Sequence, residues 1–423
     1  MLAIACVLFV ATAAAYRMAS APALSNDSDP LLNVPSSLSL LYDGDLDLSE
    51  FADAIHPGFH GVLFLDGRPY NRYPVGTSLL VLPIVWLADR LLPPLEPPMA
   101  RALWMASIAA KVLAAAAVAL LFLLLVDLTG RVGLALGLAL VFGFATPHLP
   151  THAGGLFTHN AVIPLLLLAL LFLVHEGGRH AVRAAPVLVF AFVTRPTCVP
   201  AILILTLYVA GRHPRVLPRF VLVGAAGGAA FAAWSLWMYG TPLPPYYWSY
   251  DHTSPYVMSL GRFADGLAGH LVSPNRGVFV FAPILGFAVW GMYLTSRPAA
   301  PHPWLYRTLS LIVVTHWVMI SVMARKWWGG WSFGPRHFVE MVPLLVVLLV
   351  PAVDAFRTAP RAAQAVLAPV AVAALGWSLF VAVHGATSPA PIAWNYEPSN
   401  VQHHPERIWD WNDLQVLRGV ARR

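Results

Sequence analysis

Three polar stretches in a very apolar chain carry residue types from which a reaction could be built. The first is Trp327-Trp328-Gly329-Gly330-Trp331-Ser332-Phe333-Gly334-Pro335-Arg336, wedged between two apolar runs. Non-helical backbone with a basic residue is tolerated at a bilayer only where protein buries it or it lines a wet cavity, so this stretch points to a site. Its tryptophans can form an interfacial belt or a stacking platform for sugar rings, and three around a Gly-Gly pair favour a pocket. The second is Ser25-Asn26-Asp27-Ser28-Asp29-Pro30, almost directly after a first apolar segment that holds both carboxylates near the membrane surface. A partly desolvated carboxylate there can act as general base on a hydroxyl, and the competing reading is a helix N-cap for the run starting at Leu31. The third is Leu271-Val272-Ser273-Pro274-Asn275-Arg276-Gly277, where Arg276 beside a helix N-terminus is either an anion seat or an interfacial anchor.

Lys111 joins this set because it lies inside the apolar run 102–126, where an unpaired charge costs about 3 kcal/mol. It needs an anion, a cavity, or a way to reach the surface along its own stem. Eleven of the sixteen histidines, His159 among them, fall on what the charge pattern below makes the external side. His152 and His159 are seven apart, and no H-E-x-x-H or similar ligand spacing occurs. No metal ligand set and no cofactor is predicted; a divalent metal is compatible with these histidines but not required by them.

The scaffold that must position these residues follows from composition. Of 423 residues, 58% are hydrophobic and only 11% charged, with mean hydropathy +0.67. Soluble domains carry about a quarter charged residues, so this is a polytopic, all-α membrane protein. The net charge of +6 lies in loop arginines and not in a basic, aromatic-interleaved patch, which excludes a nucleic-acid partner. Cys6 and Cys198 imply neither a disulfide framework nor a cysteine metal site.

After an Ala-rich first segment, 1–16, apolar runs occupy 102–126, 132–145, 161–174, 185–193, 199–210, 220–238, 278–294, 308–323, 338–355 and 362–383. The first segment is read as a helix, although Ala13-Ala14-Ala15 also resembles a signal-peptidase site without the usual basic flank. This gives about eleven crossings, several shorter than the roughly 20 residues a square crossing needs. Arg131, Arg179, Arg183, Arg212, Arg215, Arg219, Arg297, Arg307, Arg357 and Arg361 then share one side, the cytoplasmic side by the positive-inside rule. The external side holds a long acidic loop, 17–101, inside a membrane domain that spans 1–384, and a short tail, 385–423. Two segments bear on the count. The stretch 77–92 is read as an external amphipathic or re-entrant helix, and 185–210 is open to being one helix kinked at Pro196 and Pro200.

In this order of features the chain resembles the GT-C-fold glycosyltransferases that use lipid carriers. More narrowly, it is similar to bacterial membrane proteins related to the dolichyl- or polyprenyl-phosphate mannosyltransferases and the aminoarabinose transferases. The matching stretches are Asp27-Ser28-Asp29-Pro30, Asp43-Gly44-Asp45-Leu46-Asp47-Leu48, Tyr73-Pro74-Val75-Gly76-Thr77, Ser273-Pro274-Asn275-Arg276-Gly277 and Trp327 to Arg336. The resemblance implies a GT-C-like bundle whose external first loop carries juxtamembrane helices. It implies a loop aspartate as base, Asp27 with Asp29 second, although the chain reads Asp-Ser-Asp where the family has adjacent acids. It further implies a polyprenyl-phosphate sugar as donor, with its phosphate on Lys111, Arg276 or Arg336. Trp327, Trp328, Trp331, His159 and Tyr73 would line the sugar and acceptor pocket, and the acceptor would be a hydroxyl of a glycan, lipid or protein outside the plasma membrane. Two other readings fit the same charges: a lipid-linked glycan transporter or flippase, for which internal repeats would be expected and none is seen, and a glycan ligase or polymerase.

Overall fold

Long apolar segments with few glycines can satisfy their backbone only as helices, and helices dominate the molecule. The computed structural model describes residues 1–19, 29–56, 58–93, 96–152, 155–248, 260–297, 302–322 and 326–420. In chain order these contain α1 (Leu2–Tyr16), α2 (Asn33–Tyr42), β1 (Val62–Leu65), β2 (Arg68–Asn71), α3 (Gly76–Leu91), α4 (Pro98–Thr129), α5 (Val132–Phe144), α6 (His148–His152), α7 (Thr158–Val174), α8 (Ala184–Thr194), α9 (Val199–Arg212), α10 (Leu217–Tyr239) and α11 (Pro245–Trp248). There follow α12 (Phe263–Val272), α13 (Val278–Phe281), α14 (Gly286–Ser296), α15 (Pro303–Val322), α16 (Val342–Thr358), α17 (Arg361–Thr387) and α18 (Ala390–Ala393). Among the described residues, six stretches are long and apolar enough to cross a bilayer: Pro98–Thr129, Thr158–Gly178, Leu217–Tyr239, Pro303–Val322, Arg336–Thr358 and Arg361–Thr387. Four shorter apolar helices accompany them. The protein is thus a multi-pass helical membrane protein. The Arg336–Thr358 stretch is 83% buried and forms the centre, whereas α10 and α17 are 17% buried and leave most of their apolar surface to lipid.

The bundle has two chemically different ends. At one, Arg131 bridges to Asp354 at 2.5 Å, His175 meets Asp127 at 2.6 Å, and Arg307 donates to the carbonyls of Thr295 and Ser296. At the other, the Tyr16 hydroxyl at the close of α1 donates to Gly143 O near the close of α5 (2.7 Å), and His148 Nε2 donates to Ala114 O (3.1 Å). The segment 185–210 is a reversal and not a kinked rod. Arg195 is fully extended (φ −159°, ψ 109°), and His213, just past α9, packs on Gly178, just before α8, so both helices return to the same end.

Residues 98–113 of α4 run about 24 Å beyond the level of Ala114. Against them lies α3, with Val81, Val85 and Ala88 buried on Ala102, Met105, Ala106 and Ala109, and Leu91, Leu87 and Trp86 exposed. Asp89 of α3 pairs with Arg101 at 3.0 Å. The helix in 77–92 thus buries one apolar face on α4 and leaves a second, also apolar, exposed, with Thr77 and Ser78 buried. One departure from the all-α expectation is the β1–β2 hairpin, whose turn puts Asp66 at φ 49° and Gly67 at φ 80°. Asp-Gly is the pair that most favours this two-residue turn, because both positions need positive φ.

Candidate functional site

Asp29 and Arg336 come together where the first loop meets the tryptophan-glycine stretch. Arg336 Nη2 is ion-paired with Asp29 Oδ2, and the two side chains are 15% and 24% exposed. The Tyr73 hydroxyl donates to Asp29 Oδ1 (2.8 Å), and His60 Nε2 lies 3.2 Å from the same oxygen. Arg336 also stacks over the Phe157 ring at 4.9 Å. Burial pushes the Asp29 carboxyl up, but Arg336, together with the hydrogen bonds from His60, Tyr73 and Arg336, outweighs burial and holds it well below the usual carboxylate range. The carboxylate is therefore ionised and fully engaged. It does not cap α2, whose N-cap position is Leu32 and has no side-chain capping bond.

Local stitching fixes this arrangement. Asn33 at the start of α2 donates to Leu156 O (2.8 Å), just ahead of α7, and receives Asn71 Nδ2 from the end of β2 (3.2 Å). Asn71 Oδ1 in turn accepts the Tyr73 N–H at 3.0 Å. The hairpin is thus the part that sets Tyr73 against Asp29.

A second charged group lies beneath. Glu340, fully buried and four residues after Arg336, is ion-paired through Oε1 with Arg195 Nε and accepts from His159 Nδ1 at 2.7 Å. Arg195 Nη1 donates to Thr158 Oγ1 (2.9 Å). The Tyr246 hydroxyl is within electrostatic reach of Arg195, Asp29 and Arg336, and its ring packs 5.4 Å from that of Tyr73. Sequence reasoning missed Arg195 and Glu340, though signals existed. Arg195 is a charge set between an apolar run and Pro196, and Glu340 is a carboxylate inside the apolar run 338–355.

An apolar groove of about 490 Å³ opens beside this centre between α3, α8 and α10, lined by Leu79, Phe190, Val193, Val223, Gly227 and Phe231 among others. Its α8 wall ends at Val193, two residues before Arg195, and Val75 on its other wall is two residues from Tyr73. Tyr247 closes the junction by donating to the carbonyls of Phe192 and Val193.

The remaining sequence-derived residues fall into three groups. Asp27 lies outside the described residues. Lys111 is placed at the level where α1 ends, one turn from Ala114 and within reach of the Arg17 charge, and among the described residues it has no ion pair with the Asp29 centre. Arg276 and two of the tryptophans are structural, which corrects their reading as ligand contacts. Arg276 is 1% exposed and spends its donors on Trp328 O, Asn275 O, Gln415 Oε1, Gly330 O and Asn395 Oδ1. Trp327 and Trp328 are 1% and 4% exposed beneath the tail, in a cluster with Trp394, Val401 and Ile408. Trp327 Nε1 and Trp409 Nε1 both donate to Asp265, at 2.8 and 2.7 Å. His159 is buried on Glu340 and lines no open surface. Trp331 alone of the three tryptophans stays accessible, at 38%. Among the described residues no group of three His, Cys, Asp or Glu side chains is arranged to hold a metal. No protein-family model matches the chain, and no curated protein matches it.

Proposed function

We propose that the protein is a membrane glycosyltransferase that moves a sugar from a polyprenyl-phosphate carrier to a hydroxyl acceptor on the external face of the plasma membrane. The observation that carries this reading is the Asp29–Arg336 ion pair beside an apolar groove whose walls include Val75, two residues from Tyr73, and Val193, two residues from Arg195. In this reading the groove between α3, α8 and α10 takes part of the isoprenoid tail. Arg336 and Arg195 receive the phosphate, a role suited to the forked, permanently charged guanidinium. Lys111 is no longer needed there, and Arg276 is not used.

Donor binding would then switch on the base. While Arg336 holds Asp29, the carboxylate is too weak a base to accept a hydroxyl proton well. When a lipid phosphate takes Arg336, Asp29 Oδ2 is released and its proton affinity rises. Asp29 takes the proton of the acceptor hydroxyl, the acceptor oxygen bonds to the anomeric carbon, and the bond from that carbon to the lipid phosphate oxygen breaks. The configuration inverts in this single displacement. The arginines stabilise the charge that grows on the departing phosphate, preorganised help of the kind that usually contributes most. Asp27, two residues away, is the other candidate base.

The test is direct transfer. Purified protein in lipid nanodiscs, given polyprenyl-phosphate sugars labelled in the sugar, should release free polyprenyl phosphate and label an acceptor from its own cell envelope. Donor turnover that is absent for every sugar tried, while envelope glycans and lipid-linked sugars are unaltered in a strain lacking the protein, would overturn the reading.

A further inference from the structure

Trp331 and Tyr396 form a tilted, offset stack that stays accessible, 38% and 43%, with ring centroids 5.4 Å apart and planes 32° from parallel. We infer that they form a shelf for the pyranose rings of a glycan chain, which makes the acceptor a glycan and not a protein or a lipid headgroup; this rests on the glycosyltransferase reading.

The shelf is built rigidly from two distant parts of the chain. The buried Arg276 guanidinium donates through one nitrogen to Gly330 O (3.2 Å) and Asn395 Oδ1 (2.8 Å), the residues immediately before Trp331 and Tyr396. One cation therefore ties together the two segments that carry the rings. Gly330 sits at φ 66°, a left-handed conformation that turns Trp331 outward and that a side chain would strain. The indole is locked further by its Nε1 donating to Asn400 Oδ1 at 3.0 Å, an oxygen that also accepts the Gln402 N–H at 2.9 Å. Beside the rings, the Gln402 amide nitrogen lies over Gly330, and its Oε1 has no hydrogen-bond partner among the described residues.

An interfacial belt does not explain this geometry. Belt tryptophans ride on lipid-facing helices, as Trp237 does on α10 at 80% exposure. Trp331 and Tyr396 instead lie in irregular backbone next to Glu397, Ser399, Asn400, His403 and His404, a strongly polar neighbourhood. The outer face of an aromatic stack bordered by the Asn400 and Gln402 amides matches a sugar ring, which has an apolar C–H face and a rim of hydroxyls. Trp331 is five residues from Arg336, at most roughly 18 Å along the chain. A glycan on the shelf thus reaches the reacting centre within a few rings.

The experiment is saturation-transfer NMR on the full-length protein in nanodiscs with soluble hexasaccharide probes: malto-, cello-, chito- and mannohexaose. Transfer to the ring C–H protons of at least one probe is expected. It should fall at least tenfold in Trp331→Ala and in Tyr396→Ala, persist in Trp331→Tyr, and be unchanged in Trp237→Ala. Tyr396→Ala keeps the test available if Trp331→Ala does not fold. No transfer to any probe, or transfer indifferent to both shelf variants, overturns the inference. Its failure is separable from that of the enzyme reading: donor turnover without shelf-dependent glycan binding removes the shelf alone, and shelf binding in a protein that never turns over donor removes the transferase alone.

Discussion

Asp29 and Arg336 lie 307 positions apart in the chain and form an ion pair, so the turn after the first helix and the end of the tryptophan-glycine stretch meet in one site. Each residue answers a problem the other poses. An arginine placed among Phe157, Tyr73 and the start of the most buried helix needs a counter-charge, and a carboxylate there needs donors.

Replacing Arg336 with Ala should weaken binding of a polyprenyl-phosphate sugar by about 2 kcal/mol or more, the worth of a charge-assisted contact in a partly buried site. Lys should rescue only part, because the fork is lost. Calorimetry or microscale thermophoresis in nanodiscs gives the affinity. Equal affinity in wild type, Arg336→Ala and Arg195→Ala would remove the phosphate seat.

Arg276→Ala should behave in the opposite way. Its removal takes away the guanidinium donor from Asn275 O, Gly330 O and Asn395 Oδ1 and one of two donors from Trp328 O and Gln415 Oε1, all beneath the docked tail, so a stability loss of about 3 kcal/mol is expected, read as a lower melting temperature and faster proteolysis after residue 387. Donor affinity per folded molecule should be unchanged. A fall in donor affinity without a fall in stability would return Arg276 to the site.

The pH dependence of stability has a defined sign. Asp29 has its folded-state pKa held below the unfolded value near 4, so its contribution is complete above about pH 4 and is lost as the pH falls towards the folded-state value. Wild type should therefore lose melting temperature between pH 5 and pH 3 more steeply than Asp29→Asn, with the two curves parallel above pH 5. A steeper loss in Asp29→Asn would reverse the assignment.

Much of this was legible in the chain. Composition points to a multi-pass helical protein, and 77–92 holds a short helix whose Asp89 pairs with Arg101. The Asp29 and Arg336 stretches, singled out from residue type, and the Tyr73 stretch, named through the family resemblance, converge. What stayed hidden depends on partners far away in sequence. Arg276 has the same local signature as Arg336, a guanidinium in a Gly/Pro turn, yet Gln415 and Asn395 of the tail fold over one and not the other. Trp327 and Trp328 read as a platform until Trp394 and Val401 cover them. The hairpin was readable from Asp66-Gly67 and was overlooked because its strands are four residues each inside an acidic loop.

Orientation can be read by chemistry at the two ends. Single cysteines at Arg215 and Arg357 should resist an impermeant maleimide in intact cells, while cysteines at Trp331 and His403 should react. Labelling at Arg215 or Arg357 would invert the orientation and move the site to the cytoplasm.

The most direct measurement is the turnover of Asp29→Asn beside Asp27→Asn in purified, folded protein at saturating donor. Asn keeps the shape and hydrogen-bonding capacity of the side chain but cannot accept the proton, so Asp29→Asn is expected to cut transfer by about a hundredfold or more while donor affinity is retained. Asp27→Asn is expected to stay within a few-fold of wild type. A dead Asp27→Asn with an active Asp29→Asn would hand the base to Asp27, and normal turnover in both would contradict the account at its centre.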